Sequence, residues 1–316
     1  MAGFSYSTNE HLVRSNVWSS QLKDVLEDEL IAQRWVRFMT DFPDGDTWNI
    51  PSIGQMTAYN FSEGDAIQYS AMDTGNFTFT ITEYMASATY ITEKMKQDTF
   101  YMNELVSSFV PKQHRALMKN METKILDLAP ESQTSADTNA INGAAHRFVG
   151  SGTNEVIAPQ DFQRARYALT KANVPLENLI AIVDPSVEYE LATQTNLVNV
   201  SNNPMWEGIV RDGMSNGLRF RFNIFGWDVY VSQNLKSGVN ETIESRTTGS
   251  GVANVLFSAS SDVLPFIGAI RQPPRVDSEF NKDLQREEFV TTMRYGLKVF
   301  RPENLVVILT DDDQVS

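Results

Sequence analysis

His11, His114 and His146 are the only histidines among 316 residues, and a search for chemistry starts with them. An imidazole serves as a general base when a nucleophile and an orienting carboxylate stand within hydrogen-bond reach. Such triads need not be contiguous, but no nucleophile elbow accompanies any of the three, so they read as ordinary surface or helix histidines. Metal chemistry fares no better. HExxH is absent, and Asp41, Asp44 and Asp46 around Gly45 fail the ligand order of a calcium loop, which leaves a polar turn. Gly150-Ser151-Gly152 and Gly249-Ser250-Gly251 match neither phosphate-binding pattern and read as flexible loops. With no cysteine in the chain, disulfides, thiolate zinc sites and cysteine nucleophiles are all excluded. No catalytic, cofactor-binding or metal-binding residue is expected.

Composition reads as that of an ordinary, soluble, globular chain. Hydrophobic residues make up 41% and charged ones 21%, with a formal net charge of −14. That excess opposes tight, sequence-independent binding to nucleic acid, which depends on Lys and Arg neutralising phosphates. The aromatic residues between Phe220 and Tyr230 could form a base-stacking platform, but their surroundings are not basic enough, and core packing is the better reading. The first residues, MAGFSYSTNEHLVRSN, lack the apolar core of a signal peptide, and no run is long and uncharged enough for a spanning helix.

The elements follow from periodicity. Residues 17–39 place Trp18, Leu22, Val25, Leu26, Leu30, Ile31, Trp35, Val36 and Met39 at helical spacing, ahead of the breaker cluster at 41–45. From 46 to 76 the chain is turn-rich and poor in consecutive apolar residues. FTFTITEY then alternates, with Phe77, Phe79 and Ile81 on one face, as a half-buried strand does. An excursion closed by a returning strand reads as a long β-arm. Next, residues 94–128 carry the longest helical signal, interrupted by Pro111. The apolar stripes on either side of the proline are offset by about a third of a turn, which predicts a break or kink there. Lys112, Arg115 and Lys119 form a basic stripe opposite the apolar face.

Residues 130–157 read as a mobile loop. A helix over 160–172, a strand over 179–183 and a short helix from Pro185 to Ala192 form a compact α/β unit. A hairpin follows, turning at Phe225-Gly226, with Trp227, Val229 and Val231 alternating against Asp228, Tyr230 and Ser232. A Gly/Ser/Thr-rich connection over 236–254 leads to strands near 255–260 and 289–300, and to a last strand at 305–309. Asp311-Asp312-Asp313 reads as a solvated tail.

The order of these parts resembles the major capsid proteins of tailed bacteriophages, with the α+β Hong Kong 97-like fold. The residues that carry the likeness are TWNIPSIG at 47–54, SEGDAI at 62–67, ATYITEKMKQD at 88–98 and APQDFQRARYALTKANVPLENLIAIVDPSVEYEL at 158–191. FGWDVYVSQNL at 225–235 and MRYGLKVFRPENLVVI at 293–308 complete it. The resemblance implies an N-terminal arm over 1–45, an E-loop over 46–95 and a peripheral domain with its spine helix and a loop over 96–157. An axial domain would span 158–265, and 266–316 would return to the peripheral sheet and the final strand.

It also implies the function: self-assembly as pentamers and hexamers into an icosahedral head that encloses double-stranded DNA, without sequence-specific binding and without a membrane. The implied partners are further copies of the chain, a portal protein, a scaffolding protein and a cement or decoration protein. The location would be the virion, after assembly in the host bacterial cytoplasm. An encapsulin, the shell of a cellular compartment on the same fold, is the alternative. About forty-five residues precede the excursion, too few for an independent folded unit, so the scaffolding protein is expected to be separate and the N-terminus uncleaved.

The likeness departs from the family at one chemical point. The name-giving member crosslinks its subunits through an E-loop lysine, whereas Asp46 to Glu93 here contains neither lysine nor arginine. Its charges are Asp46, Glu63, Asp65, Asp73, Glu83 and Glu93. Subunits are therefore expected to be held by non-covalent contacts. Glu63, Asp65 and Asp73 on one copy and Lys112, Arg115 and Lys119 on its neighbour are the expected pairing. The competing reading makes Lys112, Arg115 and Lys119 solvated charges on an outer surface.

Overall fold

A computed structural model describes residues 30–39, 47–54, 58–60, 62–64, 66, 74–98, 102–193 and 220–311. Its strands are β1 (Val36–Met39), β2 (Thr47–Ile53), β3 (Thr74–Thr80), β4 (Glu83–Thr92), β5 (Arg147–Val149), β6 (Leu179–Val183) and β7 (Phe220–Ile224). They continue as β8 (Trp227–Val231), β9 (Thr242–Ile243), β10 (Arg246–Thr247), β11 (Gly251–Ser258), β12 (Phe266–Asn281), β13 (Arg286–Val299) and β14 (Val306–Asp311). The helices are α1 (Glu93–Asp98), α2 (Met102–Ser132), α3 (Pro159–Lys171) and α4 (Pro185–Thr193).

Leu179-Ile180-Ala181-Ile182-Val183 explains the larger sheet. All five residues of β6 are buried, so the strand has a layer on each face rather than one wet side. The sheet runs β5-β14-β11-β6-β8-β7. On one face Leu179, Ala181 and Val183 pack with Phe162, Ala165 and Leu169 of α3 and with Val187 and Leu191 of α4. On the other, Ile180 and Ile182 join Leu117, Met121, Ile125 and Ala129 of α2. The strands come from distant parts of the chain, since β5, β6 and β14 lie far apart in sequence.

A second sheet, β1-β12-β13-β4, is made mainly of long antiparallel strands. Met293 and Tyr295 of β13 and Phe266 of β12 enter the same apolar cluster as α2. The helix is thus the shared wall of both sheets. The Tyr295 hydroxyl donates to Asn120 Oδ1 (3.1 Å), and burial pushes its pKa up to about 12.

Much of the local reading holds. α3, β6, α4 and the β7–β8 hairpin lie where periodicity put them, within a residue or so. At the hairpin turn Phe225 (φ 50) and Gly226 (φ 87) both take left-handed backbone, as a two-residue primed turn requires. Trp227, Val229 and Val231 point into the core, and Trp227 Nε1 donates to the Phe162 carbonyl (3.1 Å).

Five expectations are corrected. First, the C-terminal part of the 17–39 helix is instead a 3₁₀ turn at Ala32–Trp35 followed by β1; residues 17–29 lie outside the described residues. β1 lies parallel to Phe266–Ala269, so a free sheet edge overrides helical periodicity. Second, of the break or kink expected at Pro111, the break does not occur: α2 is continuous from Met102 to Ser132. The carbonyl of Ser107 forgoes its usual donor, a cost that packing on two sheets offsets. The stripe after the proline is placed as read, with Leu117, Met121 and Ile125 buried.

Third, residues 130–157 are not a mobile loop. Helix α2 extends to Ser132, β5 runs parallel to β14, and Ala144, His146, Arg147 and Phe148 are buried. Fourth, His146 is therefore a core histidine rather than a surface one; His114 is exposed on α2, and His11 lies outside the described residues. Fifth, Asp311 closes strand β14 opposite Gly251, so the tail begins later than read; β11 likewise begins at Gly251, inside the supposed connection.

His146 Nδ1 donates to the Ala144 carbonyl (3.0 Å). Burial lowers its pKa from the usual 6.5, against the hydrogen bond to the Ala144 carbonyl and the nearby Glu303, which raise it. The neutral ring is favoured in the folded chain, so the unfolded chain binds the proton first. Stability attributable to this group is complete above about pH 6.5 and falls as pH drops through the folded pKa. Denaturant titration between pH 7 and 5 should show that slope, and His146→Gln should flatten it. For the helix, Pro111→Ala restores a donor in mid-helix and should raise stability by up to about 3 kcal/mol, read as a higher denaturation midpoint at unchanged slope.

Candidate functional site

The arm and the basic stripe are the expected site, and their placement starts with the arm's root. Strands β2 and β3 pair antiparallel over seven residues, from Thr47↔Thr80 to Ile53↔Thr74. Alternation does the anchoring. Phe79 and Ile81 are buried with Ile267 and Ala269, and Ile50 and Phe77 pack against them. Phe77 meets Phe300 edge-on at 5.1 Å, and the Lys298 ammonium sits 4.9 Å from the Phe77 ring while donating to the Thr78 carbonyl (2.6 Å). Gly296 makes the close approach possible, since a Cβ there would stand 2.9 Å from Ile81 Cα and 3.0 Å from the Thr80 carbonyl. On the opposite face Thr78 Oγ1 donates to Asn49 Oδ1 (3.0 Å), and these residues are exposed. The root is fixed and the ladder projects from it.

Glu63 occupies an exposed turn with Gly64 (φ 98) between the two strands. It has no ion-pair partner among the described residues. Asp65 and Asp73 lie outside the described residues. On α2, Lys112 and Lys119 are exposed and Arg115 is half-buried, so the stripe faces away from Leu117, Met121 and Ile125. Within one chain the structure does not bring Glu63 to the stripe.

Two other acids of the same stretch find cations that sequence reading did not single out. Glu83 stands 4.0 Å from Lys124, and Glu93 stands 3.9 Å from Lys96. Lys96 also pairs with Glu287 at 2.5 Å, and that bond raises its pKa. The sequence signal for Glu93–Lys96 was their spacing of three on a helix. Glu83–Lys124 and Lys96–Glu287 join distant segments and had no local signal.

Among the described residues, chemistry of other kinds finds no geometry. Among the described residues no group of three His, Asp or Glu could hold a metal ion. His146 is bonded to a backbone carbonyl rather than to a nucleophile or a carboxylate. Two clefts at the β12–β13 turn are lined by Asp277, Glu279, Asn281, Asp283 and Glu288 with Lys282, a mixture of solvated charges.

Comparison with known proteins gives the family. The sequence matches the family model described as "Phage capsid protein" over residues 76–308. No curated protein sequence matches the chain. Among solved structures, the chain is similar to one from Mycobacterium phage Che8, with a TM-score of 0.67 at 16% identity, covering 94% of this chain and 97% of that one. The capsid of cyanophage P-SCSP1u gives a TM-score of 0.69 at 13% identity over 97% and 94% of the two chains. The mature capsid of bacteriophage PhiM1 gives 0.67 at 10% identity over 94% and 91%. At such identities the likeness speaks for the fold, and the family match, which spans well over half of the chain, speaks for the rest. The chain belongs to the phage capsid protein family, as a major capsid protein with the Hong Kong 97-like fold.

Proposed function

We propose that copies of this chain close as pentamers and hexamers into an icosahedral head that encloses double-stranded DNA, and that its arm and helix stripe fasten neighbouring copies. The family match over 76–308 carries the reading of a shell of repeated copies. In this reading residues 46–95 are the E-loop, 96–157 the spine helix and adjoining segment, 158–265 the axial domain, and 266–316 the return to the peripheral sheet and the final strand. Assembly takes place in the host bacterial cytoplasm with a scaffolding protein, around a portal protein, with a cement protein added where the lattice takes one. The chain itself catalyses nothing.

Charge supports two parts of this. A wall with a net charge of −14 repels packed DNA rather than gripping it, which favours filling and release. The stretch from Asp46 to Glu93, whose charged residues are all acidic, suits a basic surface on the neighbour, and exposed Lys112 and Lys119 with half-buried Arg115 offer one on α2. Glu63, Asp65 and Asp73 are the matching acids. An exposed ion pair contributes only about 0 to 1 kcal/mol, but a symmetric shell repeats it at every equivalent interface.

Two measurements test the fastening. Denaturing gels of mature particles should show monomer, since the stretch from Asp46 to Glu93 holds no lysine to form an isopeptide; a covalent ladder refutes non-covalent closure. Lys112→Glu with Lys119→Glu should cut particle yield or lower the melting temperature of the shell. Unchanged yield and melting would return the stripe to ordinary surface charge.

A further inference from the structure

Strand β4 is the outer strand of its sheet. One edge pairs with β13 over ten residues, from Glu83↔Tyr295 to Thr92↔Arg286, with no register shift. No strand lies along the other edge among the described residues. An edge of that length presents a row of backbone donors and acceptors, and proteins that must stay apart guard such rows with Lys, Pro or a bulge. β4 has none of these. Its sequence, EYMASATYIT, carries one charge, Glu83 at the first position.

The exposed face adds a second observation. Tyr84, Ala86, Ala88 and Tyr90 all point outward, the tyrosines 62% and 57% exposed. Read on that face, YMASATY is symmetric about Ser87: Tyr, Ala, Ala, Tyr. An identical strand laid antiparallel through a two-fold axis at Ser87 sets Tyr84 opposite Tyr90 and Ala86 opposite Ala88. On the other face Met85 meets Thr89 and Glu83 meets Ile91, so no like charges face each other. The Arg286 guanidinium already stacks 4.5 Å from the Tyr90 ring centroid and is held by Glu288 (2.6 Å), which fixes one side of each tyrosine pair.

We propose that β4 pairs antiparallel with β4 of a second copy about a two-fold axis at Ser87, merging two four-stranded sheets into one. The contact is isologous, the same patch on both partners. It rests on the reading that copies of the chain assemble.

Because the chain has no cysteine, Ser87→Cys gives a clean probe. Directly opposed residues of an antiparallel pair lie within disulfide reach. Mild oxidation of Ser87→Cys particles should convert the monomer to a dimer as the main band on a non-reducing gel. Ala86→Cys, whose copies sit out of register with each other, should give at least tenfold less. Ala86→Lys with Ala88→Lys puts lysines opposite each other on a solvent-facing surface and should lower particle yield at least tenfold. Ala86→Lys with Ala88→Glu sets each lysine against a glutamate and should restore it. A monomer band from intact Ser87→Cys particles, or wild-type yield from the double lysine variant, overturns the proposal. If the unsubstituted chain forms no particles by electron microscopy, the shell reading fails on its own. Oxidation of free Ser87→Cys chain then decides the strand pair, with dimer supporting it and monomer refuting it.

Discussion

Glu122 lies on α2 with no exposed surface, and its carboxylate accepts the backbone amides of Ile31 and Ala32 at 2.7 Å and of Gln33 at 3.3 Å. Those amides open the 3₁₀ turn at Ala32–Trp35 and would otherwise be buried donors without intrahelical partners. A charge in the core is expensive unless hydrogen bonds replace its water, and charge-assisted bonds from amides do so. The consequence is positional. Once Ile31 and Ala32 are pinned to α2, Val36 can only enter the sheet beside Phe266, and Trp35 comes to rest edge-on to Tyr230 (5.0 Å) and Phe257 (5.8 Å). One carboxylate thereby links the entering chain, the helix and both sheets.

A second buried charge does comparable work at the far end of α2. Arg147 is 1% exposed, and its guanidinium meets the Glu241 carboxylate at 2.7 Å and the Pro130 carbonyl at 3.2 Å. The last turn of α2, strand β5 and the segment before β9 are thus fastened at one point. Arg246 reaches back to the carbonyls of Gly150 and Gly152, at 2.8 and 3.2 Å. Arg164 of α3 pairs with Glu244 and covers the Phe148 ring at 4.3 Å. Removing one partner of a buried pair is far more damaging than the pair is worth, because the other charge stays behind in the core. That asymmetry explains how a Gly- and Ser-rich stretch with little apolar content of its own is held in place.

These fasteners also mark the limit of what could be read from sequence. Periodicity found α3, β6, α4 and the hairpin because each buries an apolar pattern set by its own neighbours in the chain. The same reasoning made a mobile loop of 130–157, since Gln133, His146 and Arg147 look like surface residues until Pro130, Glu241 and Leu305 are brought beside them. β12 escaped recognition for a related reason. Its outer half is exposed and polar, and Pro273-Pro274 argue against a strand; the pairing with β13 shifts register around them, between Ile270 and Arg275, where prolines in sheets belong. Of the site, the acidic arm and the basic stripe were legible as charge patterns. Lys124 and Lys298, which meet the arm's root from α2 and β13, were legible only in three dimensions.

These fasteners suit a capsid protein, whose work is a shape. An enzyme concentrates energy in a few groups held around a reacting atom, whereas a shell must hold a shape that many equivalent neighbours can share. Shape precision comes from over-determined junctions, and here they gather along α2, with Glu122 near its middle and the Pro130 carbonyl at its end. The arm root follows the same rule, since Phe77, Phe79, Lys298 and Gly296 fix its direction while Thr47, Asn49 and Thr78 leave its outer face polar. A rigid root also lowers the ordering cost of each contact made further out, because little is left to immobilise on binding. Weak outer contacts then suffice, and weak contacts can separate and re-form while a lattice corrects itself. A chain built in this way carries its buried charged junctions inside the subunit, where they hold the shape that repeated neighbours must share.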